Sequence, residues 1–209
     1  MEFSVNILLV IATVGASLYA WNNPAVFQNW KLNPYLVKER KQYWRFITSG
    51  FIHADYMHLG FNMFTLFFIG QGVESAFAGR FGGYGGLAYA LFYILGILVS
   101  DLPSYIKHKD HAWYNSIGAS GGVSAVMFSF ILFAPTQDLC LYGFICIPAI
   151  IFGVLYLLFS YQMAQKSKDN INHDAHFFGA VYGIIATVIL IPQVVPHFIE
   201  QITTWRWFW

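Results

Sequence analysis

Gly118-Ala119-Ser120-Gly121 opens a run that reaches Pro135, and no charged residue occurs between Ala112 and Gln137. The run is long and apolar enough to belong to lipid rather than water. Its first polar atom is a serine hydroxyl set among glycines. By itself such a serine serves close helix packing. Its meaning depends on what the other apolar runs place at the same depth.

Those runs are many. The 209-residue chain is 57% apolar, 20% aromatic and 10% charged, against about 25% charged for a soluble domain. The composition is that of a polytopic membrane protein. Helix is the expected element throughout, because unpaired backbone groups are intolerable in hydrocarbon. One all-α domain over residues 1–209 is expected, with six transmembrane helices near 3–21, 53–77, 81–100, 120–134, 139–163 and 173–191. The first is expected to be a retained span, since Glu2 is the only charge before it and a cleaved signal peptide carries a basic leading region and a shorter core. Residues 22–50 mix aromatic side chains with Lys38, Arg40, Lys41 and Arg45. They suit a connector lying partly in the headgroup layer. The tail ending Trp205-Arg206-Trp207-Phe208-Trp209 reads as an interfacial anchor. A net charge of +1 gives no basic field for nucleic acid.

Cys140 and Cys146 fall within the expected fifth helix. Six residues on a helix turn about 240°, so a disulfide is not expected and the pair reads as small buried side chains.

Six spans alternate in direction, so the second, fourth and sixth share a starting side. Measured from the far end at ~1.5 Å per residue, Ser120 lies ~22 Å up its helix, and His176 and Asn62 lie ~24 Å up theirs. Against a hydrocarbon core ~30 Å thick, all three sit in one layer below one face. His58 stands one turn above Asn62 on the same helix face. Polar groups at such depth face a bundle interior or a wet cavity.

In that layer the residues acquire chemistry. Ser120 at a helix N-terminus has backbone N–H groups and the helix dipole beside it, which suits a nucleophile next to an oxyanion site. His176 suits a general base. Gly179 and Gly183 form a small-xxx-small face that lets their helix approach the serine helix. Asn62 and His58 offer donors for an oxyanion. Asp174 lies about 200° around the helix from His176, so a Ser–His dyad is expected rather than a triad. His53, His58, His173 and His176 could gather a metal, but there is no HExxH pair and no carboxylate or cysteine at that depth. No metal or other cofactor is expected. His108 and His111 read as solvated residues of a lysine-bearing loop.

With these residues assembled, the sequence resembles the rhomboid family of intramembrane serine proteases. The likeness rests on Trp44-Arg45, on His58-Leu59-Gly60-Phe61-Asn62, on Gly118-Ala119-Ser120-Gly121, and on Ala175-His176-Phe177-Phe178-Gly179 with Gly183, in that order. The resemblance implies a six-helix rhomboid-like bundle in a bacterial inner membrane, with a partly embedded first connector held by Trp44 and Arg45. It implies a Ser120–His176 dyad, an oxyanion site that includes Asn62 and His58, and membrane-anchored substrates cut within or beside a transmembrane helix. Two departures stand out. Some members carry an aromatic residue four positions after the nucleophile, packed on the histidine; here that position is Ser124. The family's six-helix bacterial form opens its site to the outside, the orientation expected here, yet most Lys and Arg residues cluster on the site's side, which the positive-inside rule assigns to the cytoplasm. Two other functions compete: an inactive rhomboid-like protein that binds client helices, and a small transporter. The transporter lacks support, since no internal repeat is visible.

Overall fold

The computed structural model describes residues 4–141, 145–166 and 171–206. Lys168 and the aromatic residues Trp207, Phe208 and Trp209 fall outside this set. The elements in chain order are α1 Val5–Trp21, α2 Pro24–Trp30, α3 Pro34–Arg40, α4 Arg45–Thr48, α5 Tyr56–Phe81, α6 Gly85–His108, α7 Ser120–Phe133, β1 Asp138–Leu141, β2 Ile145–Pro148, α8 Ala149–Lys166, α9 His173–Leu190 and α10 Val194–Thr204. Among the described residues two stretches are long and apolar enough to cross a membrane, His173–Leu190 and Tyr56–His108. The second folds as α5 and α6. Val5–Trp21 and Ser120–Phe133 are shorter apolar helices.

The polarity of the bundle is reversed relative to a protein that faces water. Asn6, Thr13, Ser17, Ser129 and Thr187 are fully buried. Leu8, Ile11, Phe64, Phe68, Leu91 and Ile189 are exposed. These five buried polar side chains are hydrogen-bonded within the protein. Asn6 Nδ2 donates to the Leu66 carbonyl at 2.9 Å, and Tyr89 Oη donates to Asn6 Oδ1 at 2.7 Å. Thr187 Oγ1 donates to Ser129 Oγ at 2.8 Å. Glu74, a charge within an apolar helix, is accommodated in the same way. Its carboxylate accepts from Val5 N at 2.7 Å, Asn6 N at 3.2 Å and Ser4 Oγ at 2.6 Å. Those N–H groups open α1, where an anion is favoured.

Several boundaries differ from the sequence expectation. The second long helix begins at Tyr56, capped by Asp55, so His53 precedes it. The third runs past Ser100 and through Pro103 to His108. Asp101 and Ser104 are therefore buried helix residues, not loop residues. The expected fifth helix is an antiparallel hairpin followed by α8. In that hairpin Cys140 pairs directly with Cys146, and the two form a disulfide. On a helix the two side chains would point apart; on facing strands they meet.

The first connector folds as three short helices around Arg45, which is 3% exposed. Its Nη1 donates to the Lys31 carbonyl at 2.7 Å and the Gln28 carbonyl at 3.1 Å, and its Nε to Gln42 Oε1 at 2.6 Å. The fork thus ties α2 to α4. Trp44 lies beside it, half exposed. The connector joins the α6–α7 loop through a Leu32–Ser116 bridge and a Lys38–Asp110 ion pair at 2.6 Å.

Candidate active site

The site begins with how α7 starts. Gly118 has φ +119°, a conformation open to glycine. A Cβ there would lie 2.6 Å from His58 Cε1, so the His58 ring rests against this backbone. Two bonds anchor the turn. Gly118 N donates to the Ser49 carbonyl at 2.9 Å, and Ala119 N donates to His53 Nε2 at 3.2 Å. The second bond sets the His53 tautomer. Nε2 accepts, so Nδ1 carries the proton and donates to Ser17 Oγ at 3.1 Å, and Ser17 Oγ donates to the Phe51 carbonyl at 3.1 Å. His53 is 0% exposed. Burial first, and then the neighbouring His58, push its pKa down to about 3, against a smaller upward pull from Asp55. A neutral ring is what an acceptor must be.

The next turns of α7 lie on α9. A Cβ at Gly179 would collide with the Gly121 carbonyl, and one at Gly183 with the Ala125 carbonyl. A Cβ at Gly121 would collide with Ser100 Oγ of α6. Three glycines thus bring α7 and α9 into backbone contact and seat the Ser100 side chain of α6 against α7. The N-terminus of α9 is fixed by Asn172. Its Oδ1 accepts from Ala175 N at 3.1 Å and from Ser104 Oγ at 2.9 Å, and its Nδ2 donates to Ser116 Oγ at 3.0 Å. His176 N donates to the Asn172 carbonyl at 3.3 Å. His176 therefore rides on a capped first turn tied to α6 and to the α6–α7 loop.

A cavity of about 890 Å³ is lined by Ser120, His176, Asn62 and His58 together, with Ser124, Tyr156 and Asn172 around them. The α6–α7 loop contributes Trp113 and Tyr114 to it. Asn62 donates one amide proton to the His58 carbonyl at 2.9 Å; the amide carries two. Asp174 faces away and pairs with Lys107 at 3.2 Å. His108 and His111 are not simply solvated. Their Nδ1 atoms lie 3.1 Å apart, and His108 stacks on Tyr114 at 3.8 Å between centroids.

Two residues of the site were not singled out from sequence. Tyr156 of α8 stacks on His176, with centroids 6.2 Å apart and planes at 25°. Its hydroxyl shares a 2.6 Å hydrogen bond with Ser124 Oγ. The aromatic contact that Ser124 cannot supply comes from another helix, and Ser124 holds it in place. Only tertiary structure could reveal this. In the sequence His53 stands out only as a member of a possible metal group. Among the described residues no three His, Cys, Asp or Glu side chains form one.

The arrangement offers a hydroxyl at a helix N-terminus, an imidazole on the adjacent helix, and amide and imidazole donors, all facing one cavity. Comparison with known proteins points the same way. The Rhomboid domain model matches residues 40–193. A rhomboid-like protein 12, mitochondrial, of Arabidopsis thaliana is 29% identical over 150 residues, covering 67% of this chain and 44% of the relative. The rhomboid protease AarA of Providencia stuartii is 23% identical over 191 residues, covering 79% of this chain and 61% of its own length. The rhomboid protease GluP of Bacillus subtilis is 24% identical over 149 residues, covering 71% and 26%. The chain thus spans less than two thirds of these relatives. The matched region takes in more than half of the chain and every residue that lines the polar layer, and the chain belongs to the rhomboid family of membrane proteins.

Proposed function

We propose that this protein is an intramembrane serine endopeptidase that cuts membrane-anchored proteins within or beside a transmembrane helix. The observation that carries the reading is the single cavity lined by Ser120, His176, Asn62 and His58. Six spans are proposed: α1, α5, α6, α7, α8 and α9. At ~1.5 Å per residue α7 is ~21 Å long, short of a ~30 Å core. That shortfall sets Ser120 below the membrane surface, at the floor of a wet hollow.

His176 takes the Ser120 proton as the hydroxyl oxygen attacks the scissile carbonyl. The oxyanion is stabilised by donors from Asn62 and His58 and by the first-turn N–H groups of α7. His176 returns the proton to the leaving amine. Water, deprotonated by the same imidazole, then releases the acyl group and restores Ser120. Tyr156 fixes the plane of the imidazole in this scheme. A helical substrate must unwind at the cut, so glycine or proline near the bond favours cleavage. The proposed location is a bacterial inner membrane, supported by the bacterial relatives; an organelle membrane is the rival suggested by relatives named mitochondrial and chloroplastic.

The test is cleavage of a single-span substrate by the reconstituted protein, together with labelling by a serine-reactive fluorophosphonate. Ser120→Ala should reduce cleavage to background, and both Ser120→Ala and His176→Ala should lose the label. Undiminished cleavage by Ser120→Ala would remove the serine from its role. Client binding without labelling or cleavage by the unaltered protein would make it an inactive rhomboid-like protein.

A further inference from the structure

Two histidines stand outside the proposed chemistry, yet they are joined to the cavity wall. His108 closes α6, and His111 lies three positions on, in the turn that follows. His111 N donates to the His108 carbonyl at 2.9 Å, and Tyr114 N donates to the His111 carbonyl at 3.2 Å. This winding folds the chain back until the two side chains meet, with their Nδ1 atoms 3.1 Å apart. Each ring also has an aromatic backing. His108 lies on Tyr114 with planes 2° apart, and His111 stacks on Trp113 with centroids 5.5 Å apart and planes at 19°. The stacks hold the two imidazole planes around that short separation.

The separation suits two occupants. One is a shared proton, with one neutral ring donating and the other accepting. The other is a metal ion. Imidazole nitrogen binds Zn²⁺ at about 2.0–2.1 Å, and two such bonds ending 3.1 Å apart meet at about 98°. That angle lies between the ~90° of square or octahedral coordination and the ~109° of tetrahedral coordination. Two carboxylates temper the positive charge around the pair: Asp110 is bound to Lys38 at 2.6 Å and Asp174 to Lys107 at 3.2 Å. His111 is exposed and His108 half-buried, so water reaches the nitrogens and can complete a coordination shell. Among the described residues no third His, Cys, Asp or Glu joins the two. The protein therefore supplies two ligands and solvent the rest, which makes an open and exchangeable site. Imidazole selects zinc, nickel or copper over magnesium and calcium, which prefer oxygen.

The rings that brace the imidazoles have a second role. Trp113 and Tyr114 both line the cavity that holds Ser120 and His176. We infer that His108 and His111 form a two-histidine site for a divalent ion of the zinc, nickel or copper kind, and that the bound ion restrains the part of the cavity wall made by Trp113 and Tyr114. The ion takes no part in the hydrolytic chemistry. It replaces a shared proton by two coordinate bonds and so ties the end of α6 to the loop that follows.

The site can be tested without any activity. Zn²⁺ is titrated calorimetrically into the full chain, purified in detergent through a tag that contains no histidine. His108→Gln and His111→Gln should each weaken binding about tenfold or more, while His176→Gln and His197→Gln should leave it unchanged. Binding that survives both of the first two changes, or that disappears with His176→Gln, would overturn the site and move the ion to the cavity histidines or elsewhere. Cu²⁺ gives a second reading on the unaltered chain, free of any question of variant folding: its electron paramagnetic resonance spectrum should show coupling to two imidazole nitrogens, and coupling to none would overturn the site. The restraint is read by amide hydrogen exchange across residues 109–116. Zn²⁺ should slow exchange there in the native chain and not in His111→Gln. Equal exchange with and without the ion in the native chain would overturn the restraint and leave only a surface metal site.

Discussion

The two flanks of α7 are built differently. Toward α9 the contact is backbone on backbone, through Gly121 and Gly179 and through Ala125 and Gly183. Toward α8 the contact is made by side-chain ends. A Cβ at Gly153 of α8 would meet side chains, the tip of Ile131 at 3.0 Å and the edge of the Phe128 ring at 3.4 Å, and Tyr156 reaches across to Phe128 and His176. The first flank sets the Ser120–His176 relationship and has no freedom to adjust. The second shapes the cavity wall and can yield.

The same substitution on each flank breaks the comparison most directly. Gly183→Ala drives a methyl group into the Ala125 carbonyl and should cost about 2–3 kcal/mol of stability. Gly153→Ala meets a flexible chain end and gains helix propensity, worth up to about 1 kcal/mol. It should be neutral or mildly stabilising. Unfolding of both variants in mild detergent checks this. Equal losses would mean that α8 is as tightly held as α9.

A smaller effect sharpens the role of the α8 flank. Under the proposed mechanism, Tyr156→Ala removes the ring packed on His176 and should lower kcat about tenfold, with KM little changed, because a base that samples wrong orientations slows chemistry rather than binding. Tyr156→Phe keeps the ring and loses only the bond to Ser124, so it should lower kcat by less than Tyr156→Ala. The rate of fluorophosphonate labelling should fall in the same order. A larger defect in Tyr156→Phe than in Tyr156→Ala would show that the hydroxyl, not the ring, is the working part.

The difference between the flanks also governs what could be read from the chain. The long helices and the polar layer follow from charge-free runs and from counting 1.5 Å steps. Gly179 and Gly183 declare close packing by their spacing alone. The hairpin is hard to read because Leu139–Met163 carries no charge, and a single helix over that run puts both cysteines on the wrong element; Pro148, which ends β2 just before α8, is the one residue that marks the change from strand to helix. The extension of α6 was hidden because Asp101, Pro103 and Ser104 resemble loop residues until Asn172 is brought against them. Tyr156 lies 32 positions from Ser124, and no local pattern joins them. Backbone contacts between small residues leave a periodic trace in sequence; a side chain reaching from another helix leaves none.

The N-terminal end of α7 is held by neither flank but by two bonds to the segment before α5, and one of them, Ala119 N to His53 Nε2, is titratable. Its response to acid has a definite sign. The native pKa is pushed down to about 3 from an ordinary 6.5, so between these values the unfolded chain binds a proton that the folded chain refuses. Stability is unaffected above pH 6.5 and falls as pH drops toward 3, by up to about 1.4 kcal/mol per pH unit from this residue. His53→Gln keeps an acceptor for Ala119 without a titrating group. Thermal unfolding of both proteins from pH 7.5 to 4.5 should show a shallower acid slope in the variant, while groups common to both, His58 and Asp55 among them, largely cancel in the difference. Parallel slopes would mean that the imidazole takes its proton in the folded state, and with a protonated ring the bond that holds Ser120 at the head of its helix could not exist.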